Sequence, residues 1–119
     1  MITNWGKKQV ALAIGGSTIN FPSRMLIGSG TTAASAGDLT LQKAWDSQAV
    51  TSTSYSTAYK IKWQGDWSTS EMNGSTFSEW ALLPSGGALT GSIWSRTVVP
   101  TITFDGTNEL RIEENWIVY

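Results

Sequence analysis

The feature that most constrains the fold is a segment of alternating side chains in the middle of the chain. Residues 59–64 alternate strictly between apolar and polar side chains, with Tyr59, Ile61 and Trp63 as the apolar set. Successive side chains of a β-strand point to opposite faces of the sheet, so a period of two indicates a strand with one face in the core. The segment is therefore predicted to be a half-buried strand.

Further strand patterns follow, each bounded by residues that favour turns. They occupy residues 49–55, 76–83, 88–99, 101–104 and 109–119, with turns predicted at Asn73-Gly74, 84–87 and Asp105-Gly106. Because Asp-Gly is a strong hairpin signal, residues 101–104 are expected to pair with 109–119. Several short strands and one short helix predict a mainly β fold, an antiparallel β-sandwich or jelly-roll-like single domain with a short N-terminal helix.

Two of these strands carry finer predictions. Pro100 cannot donate a ladder hydrogen bond and is expected at an edge or a bulge, while Gly91 marks another irregularity. In the last strand, one face is expected to hold Leu110, Ile112, Trp116 and Val118.

The N-terminal segment reads differently from the rest. Residues 1–16 are predicted to form a helix or arm that serves in docking, and residues 17–119 the β-sandwich. Thr3 or Asn4 is the expected N-cap and Gly15 the expected terminator, because these residue types are favoured at helix ends. A strand through residues 9–12 remains an alternative at this stage, since so short a helix needs tertiary packing.

A loop of small residues follows the apolar run Met25–Ile27. Residues 28–38 are small or turn-forming, and Leu39 and Leu41 at its exit are expected to enter the core as a latch. Its Gly28–Thr32 stretch lacks the spacing and the lysine of a phosphate-binding loop, so a tight turn is expected there.

Composition excludes many kinds of chemistry. The 119 residues suit one domain, and the absence of Cys and His excludes disulfides, Cys nucleophiles, His-containing triads and zinc sites with those ligands. Charged residues make up 14% of the chain against roughly 25% in an average domain, and the net charge is −1 with no basic cluster. Nucleic acid is therefore not expected as a partner.

The charge-free run Leu12–Ser23 is broken by Gly and Pro, so no membrane-spanning helix is expected, and Met1–Asn4 does not open a secretory signal.

The acidic residues offer no predicted catalytic pair. Glu113 and Glu114 are adjacent, so in a strand they point to opposite faces, whereas a glycosidase needs two facing carboxylates. Asp66, Glu71 and Glu79 could converge only through an arrangement that the sequence does not reveal. Residues 105–109 lack the ligand spacing of a calcium loop. We predict no catalytic residue, no cofactor and no metal.

Short motifs in a characteristic order suggest a family. They are Ile2-Thr3-Asn4-Trp5-Gly6-Lys7; Gly28-Ser29-Gly30-Thr31-Thr32-Ala33 with Asp38-Leu39; Ser78-Glu79-Trp80-Ala81-Leu82; and Gly86-Gly87 before an alternating last strand. Over essentially its whole length the chain resembles small phage virion proteins found among tail-fibre, collar and head-decoration components. It departs from that layout at Ala34, where Pro is common, and at Trp80-Ala81. The resemblance implies a structural role and transfers no catalytic residues.

The expected function is therefore that of a non-enzymatic virion protein, assembled in the host bacterial cytoplasm. We expect a capsid decoration or cement protein that binds the major capsid protein as a homo-oligomer such as a trimer. A tail-fibre, collar or baseplate component that binds a tail protein is the alternative. Segment 2–12 is the predicted docking element, and Trp67 is the indole first expected at the surface, because it lies beside Asp66 and before Ser68–Ser70. The predicted partner-binding residues are Trp5, Lys7, Lys8, Leu12, Trp67 and Trp94. A carbohydrate-binding module with exposed Trp residues is a further alternative, whereas Trp63 and Trp80 are expected in the core.

Overall fold

A computed structural model describes residues 1–84 and 92–118 of the chain. Over these residues the elements are α1 (Asn4–Ile14), β1 (Pro22–Gly28), β2 (Ala44–Ala49), β3 (Thr51–Tyr55), β4 (Lys60–Trp67), α2 (Thr69–Met72), β5 (Thr76–Pro84), β6 (Ser95–Thr103) and β7 (Leu110–Ile117). The fold is mainly β with a short N-terminal helix, as predicted.

The strands form two antiparallel sheets. The larger has the order β2-β1-β5-β6 and the smaller the order β3-β4-β7. The main core holds Met25, Ile27 and Leu82 from the first sheet together with Trp63 and Trp67 from the second. This arrangement agrees with the predicted small β-sandwich.

The predicted hairpin about Asp105-Gly106 is wrong, because β6 and β7 lie in different sheets. β6 pairs with β5, and β7 pairs with β4. Phe104 is buried between them, and its backbone is held by Ser75, whose carbonyl accepts from the Phe104 N–H at 2.9 Å. Burial of this ring outweighs the local turn preference, so the turn carries the chain from one sheet to the other.

Residues 49–55 likewise divide between the two sheets. β2 ends at Ala49 and β3 begins at Thr51, and between them the N–H of Val50 donates to the carbonyl of Ser23 at 3.0 Å. The predicted single strand is therefore two strands with a corner at Val50. The residues on either side of Val50 are uncharged and include neither Gly nor Pro, so the local sequence does not indicate this break.

β6 confirms the expectation for Pro100. It is an edge strand, and three of its residues, 99–101, face the single residue Ser78 where the register with β5 shifts. β6 begins at Ser95 rather than at 88. Three predictions lie outside the described residues: the turn beyond Pro84, the start of the strand predicted from residue 88, and the irregularity at Gly91.

The N-terminal helix is confirmed with both of its caps. The Thr3 hydroxyl accepts from the N–H of Gly6 at 3.0 Å, and Gly15 is the C-cap. The alternative of a strand over 9–12 is therefore wrong. The short helix α2 was not predicted, although the capping box formed by Ser68 and Glu71 is a signal for it in the sequence.

Two predictions about apolar side chains need correction. Leu41 enters a core cluster as expected, but Leu39 is 56% exposed, so only one leucine forms the latch. Ile61 and Trp63 face inward on β4, whereas Tyr59 is 71% exposed. Tyr59 lies in the turn before β4 with a φ of 51°, so the alternation of the strand does not extend to it.

In β7 the predicted face is buried at Leu110 and Ile112 and half-buried at Trp116. Val118 lies beyond the end of the strand and is exposed.

Candidate functional site

The first turn of α1 is built into the domain. Thr3 is fully buried, its hydroxyl donates to the carbonyl of Ile93, and its N–H donates to the carbonyl of Trp94 at 3.0 Å. Gly6 lies so close to the strand leading to β6 that a Cβ on it would stand 2.4 Å from the Trp94 carbonyl oxygen. The predicted docking segment 2–12 therefore begins with residues that the fold itself uses, and only the part after Gly6 faces outward.

The rest of α1 exposes apolar side chains. Val10 and Ile14 are exposed one turn apart on the same side of the helix, with Ile14 83% exposed, and these two residues are called the helix patch below. Leu12 is exposed as well, but on the opposite side of the helix. Gly6 is the one residue of the helix that is buried. Lys7 and Lys8 are also exposed, so the outward part of α1 combines two cations with an apolar surface.

Trp67 and Trp94 are not on the surface, and the expectation that Trp67 is exposed is wrong. Trp67 is 1% exposed and Trp94 is 2% exposed. Trp67 follows Asp66 in β4, and neighbouring side chains of a strand point to opposite faces of the sheet. Because Asp66 points to solvent, Trp67 points into the core. The two indoles donate to the carboxylate of Asp46 and the carbonyl of Asn20, each at 3.1 Å.

The other indoles divide between core and surface. Trp5 is half-buried with its ring edge-on to Trp94 at 5.6 Å between centroids. Trp63 is buried in the core as expected, and Trp80 packs against the core while remaining half-buried. The most exposed indole is that of Trp45, which the sequence did not single out.

A buried ionic cluster lies behind the glycine-rich loop. Arg96 is 3% exposed, and its Nε is 3.1 Å from a carboxylate oxygen of Glu79 while Nη1 is 3.1 Å from one of Asp38. The same guanidinium donates to the loop carbonyls of Thr32 at 2.9 Å and Ala33 at 3.3 Å. Arg96 thus joins β6, β5 and the loop at one point.

Glu79 is fully buried and accepts from several backbone groups. The N–H groups of Gln42 and Lys43 each donate to it at 2.9 Å, and the N–H of Gly30 donates as well. Burial raises the pKa of Glu79, but the backbone donors and Arg96 together outweigh burial and hold the pKa below its ordinary value. The group is a charged structural centre, and the motif residues around Gly30 and Glu79 form one unit.

The three acids that could have converged as a catalytic site lie apart and make different contacts. Asp66 is exposed and pairs with Arg111 at 2.7 Å, and hydrogen bonds from Gln64 and Arg111 lower its pKa. Glu71 caps α2, and hydrogen bonds from Ser68 lower its pKa. Glu79 lies in the buried cluster of the other sheet.

Glu114 was considered only as a catalytic candidate, and its place among the indoles was not predicted. It accepts from the indole N–H groups of Trp80 at 2.9 Å and Trp116 at 2.7 Å, and from the hydroxyl of Ser95 at 2.7 Å. The period of two places it on the inward face of β7, a signal that could have shown it. Glu79 could have been found in a similar way, because an acid inside the apolar stretch of β5 indicates a buried charge.

A surface groove of about 500 Å³ lies at one end of the smaller sheet. Its aromatic walls are Tyr55, Tyr59 and Trp116, and its polar edge includes the hydroxyl residues Ser54 and Ser56. The ammonium of Lys60 lies 4.6 Å from the centre of the Tyr55 ring. None of these residues was among the predicted partner-binding set.

Cation ligands do not cluster in the part of the chain that the structure describes. No three Asp or Glu side chains of residues 1–84 and 92–118 are grouped so as to hold a metal ion. The Asp105 carboxylate accepts from the N–H of Thr107 at 3.1 Å, as in an ordinary turn. No helix among the described residues has the length and apolar character needed to cross a membrane.

Comparison of the chain with protein-family models, curated proteins and solved structures gives no match.

Proposed function

We propose that this chain is a non-enzymatic structural protein that assembles with copies of itself and docks onto a larger particle. The particle that the sequence resemblance implies is a phage virion, with the capsid surface as the first candidate location and the tail as the alternative. The observation that carries the docking part is the helix patch, Val10 and Ile14, on a helix whose first turn is fixed to the domain.

The fixed first turn matters for the energetics of docking. A helix that is already ordered loses less conformational entropy on binding than a disordered arm does. Exposed apolar side chains then gain roughly 25 cal/mol for each Å² of apolar surface that a partner covers. Lys7 is three residues before Val10 and lies on the same side of the helix, and it favours a partner with an acidic surface, because complementary charge speeds association.

The test is a pair of substitutions in the helix patch. Deletion of the N-terminal segment is unsuitable, because it removes Thr3 from the core. Val10→Ser with Ile14→Ser should leave the melting temperature nearly unchanged and abolish co-sedimentation with particles that lack the wild-type protein. Ala11→Ser, an exposed position of the same helix, is the matched control and should still bind. Full binding by the double variant would contradict the docking role of the patch.

A carbohydrate-binding role is a second candidate, and the aromatic groove favours it. Sugar rings stack on aromatic faces, and here the available faces are those of Tyr55, Tyr59 and Trp116 rather than of Trp67. Titration with oligosaccharides should then change the fluorescence of Trp116, and Tyr59→Ala should remove the change. Trp45→Phe, a substitution outside the groove, should keep it. A response that survives Tyr59→Ala would rule out this site.

A further inference from the structure

β3 is an edge strand without the features that usually protect an edge. In the described part of the chain it pairs with β4 on one side and with no strand on the other. All five of its residues, Thr51–Tyr55, are exposed, and none is charged or proline. Every second residue of such an edge points its N–H and C=O groups outward, ready to pair with another strand.

The other sheet edges each carry a protective feature. β2 contains Asp46 and meets β1 through a register shift, and β6 contains Pro100 within a bulge. β7 carries the charged residues Arg111 and Glu113 on its outer face. Charges, prolines and bulges are the usual devices against unwanted strand pairing. β3 differs from all three edges.

We propose that two copies of this chain associate by antiparallel pairing of their β3 strands, with Thr53 on the two-fold axis. This register places Thr51 opposite Tyr55 of the second copy, Ser52 opposite Ser54, and Thr53 opposite itself. Pairs of Thr and pairs of an aromatic with a β-branched residue are favourable across antiparallel strands. The product is one continuous sheet of six strands, in the order β7-β4-β3-β3-β4-β7.

Self-pairing fits this strand because of its lack of charge. A two-fold interface sets the same surface of each copy against itself, so any charge near the axis meets its own like. β3 brings no such charge. The cation nearest the axis on this face is Lys62, opposite Thr53 in the register with β4 and 3.8 Å from Glu113, whereas Lys60 lies further along the strand over the Tyr55 ring. Three strand spacings, about 14 Å, would separate the two copies of Lys62, beyond the screening length of about 8 Å at physiological salt.

The proposal rests on the proposed assembly function and specifies the surface through which copies of the chain meet. It assigns self-association to β3 and leaves the helix patch free for the particle. The two surfaces therefore have separate tests.

A charge-swap experiment on Thr53 tests the pairing. Thr53→Glu sets two carboxylates face to face across the axis, while within one copy the new carboxylate faces Lys62, so folding is maintained. We expect the dissociation constant of the dimer, measured by sedimentation, to rise about five-fold. Thr53→Lys should weaken its own dimer at least as much, because its ammonium also meets Lys62 within its own copy. A mixture of the two variants should form a heterodimer more than about ten-fold tighter than either homodimer. Ser70→Glu, on α2, is the control and should dimerise as the wild type does.

A cysteine probe tests the register directly, because the natural chain contains no Cys. Thr53→Cys should be joined to its own copy by a short thiol cross-linker, and Ser70→Cys should not.

Self-association that is unaffected by the charge swap at Thr53 would overturn the β3 interface while leaving the assembly function intact. A wild-type chain that stays monomeric at high micromolar concentration would overturn both the interface and the self-assembly in the proposed function. Loss of particle binding in the helix-patch variant alone would leave β3 pairing untouched.

Discussion

At the scale of single residues, the fold depends on a few buried charges that are held by many partners. Arg96 lies between Glu79 and Asp38 and also donates to two carbonyls of the loop. Such a pair adds little net stability, because taking both charges from water costs about as much as their attraction returns. Removal of one member is a different matter, since the other charge stays buried. The cluster therefore fixes where the loop lies on the sheet.

Replacing Glu79 should show how strongly the cluster depends on each member. Glu79→Gln keeps the shape of the side chain but leaves Arg96 with Asp38 as its anionic partner. We expect a loss of about 3 kcal/mol in the free energy of unfolding, measured with urea. Asp66→Asn, which breaks the exposed pair with Arg111, should change stability little. Equal losses of unfolding free energy for the two substitutions would show that the buried ion pair matters no more to stability than the exposed one.

The pKa of Glu79 predicts how stability depends on pH. The pKa lies below its ordinary value in the folded chain, so the folded state favours the ionised carboxylate. This contribution is complete above the unfolded-state pKa of about 4.3 and disappears as the pH falls through the lower folded-state pKa. The difference in unfolding free energy between wild type and Glu79→Gln should therefore narrow on acidification. A difference that stays constant from neutral pH to strong acid would contradict this, because the other acids are common to both proteins.

At the scale of elements, α1 combines a fixed beginning with an open end. Thr3 and Gly6 anchor the first turn, whereas the residues of the last turn are exposed or half-buried. The amphipathic character that usually buries a helix on one face is thus satisfied only at its beginning. This division separates the part of the helix that serves the fold from the part proposed to serve docking.

Gly6→Ala should destabilise the protein, although the same change in most helices stabilises it. Alanine normally favours a helix over glycine by about 1 kcal/mol. Here the new Cβ would stand 2.4 Å from the backbone oxygen of Trp94. Overpacking of this kind costs about 1–3 kcal/mol, and the melting temperature should fall accordingly. Lys8→Ala in the same helix is the control and should be nearly neutral. A higher melting temperature for Gly6→Ala would show that the helix can move away from the sheet.

At the scale of the whole molecule, the sequence predicted the elements better than their pairing. The caps of α1, the period of two in β4 and the turn at Asn73-Gly74 are local signals, and the structure confirms all three. The pairing of β7 with β4, and the burial of Phe104 in the core just before β7, are long-range features that no local pattern encodes.

The candidate site was harder to predict for the same reason. Lys7, Lys8 and Leu12 are on the surface as the helical pattern suggests, whereas Trp67 and Trp94 are in the core. Whether an indole is a core or a surface group depends on which sheet lies opposite it. That information comes only from the assembled fold.

The central strands β1 and β5 of the larger sheet are buried on both faces, and this explains why the run Met25–Ile27 is apolar throughout. Met25 and Ile27 face the main core, while Leu26 faces a second cluster with Leu83 and with Leu41 from the loop exit. The two clusters share strands β1 and β5, so neither can be lost without disturbing the other. The domain is therefore expected to unfold as one cooperative unit.

A cavity in the second cluster tests this cooperativity, because the cluster contains no Trp. Leu26→Ala should lower the free energy of unfolding by about 2–5 kcal/mol. Trp fluorescence reports on the main core, and far-UV circular dichroism reports on the strands. If the clusters unfold together, both signals should move to the same lower urea midpoint, with coincident curves. A fluorescence midpoint that stays at the wild-type value would mean that the main core survives on its own, and the coupling through β1 and β5 would then be absent. Leu39→Ala, at the exposed neighbour of the latch, should move neither signal, because its side chain leaves no cavity.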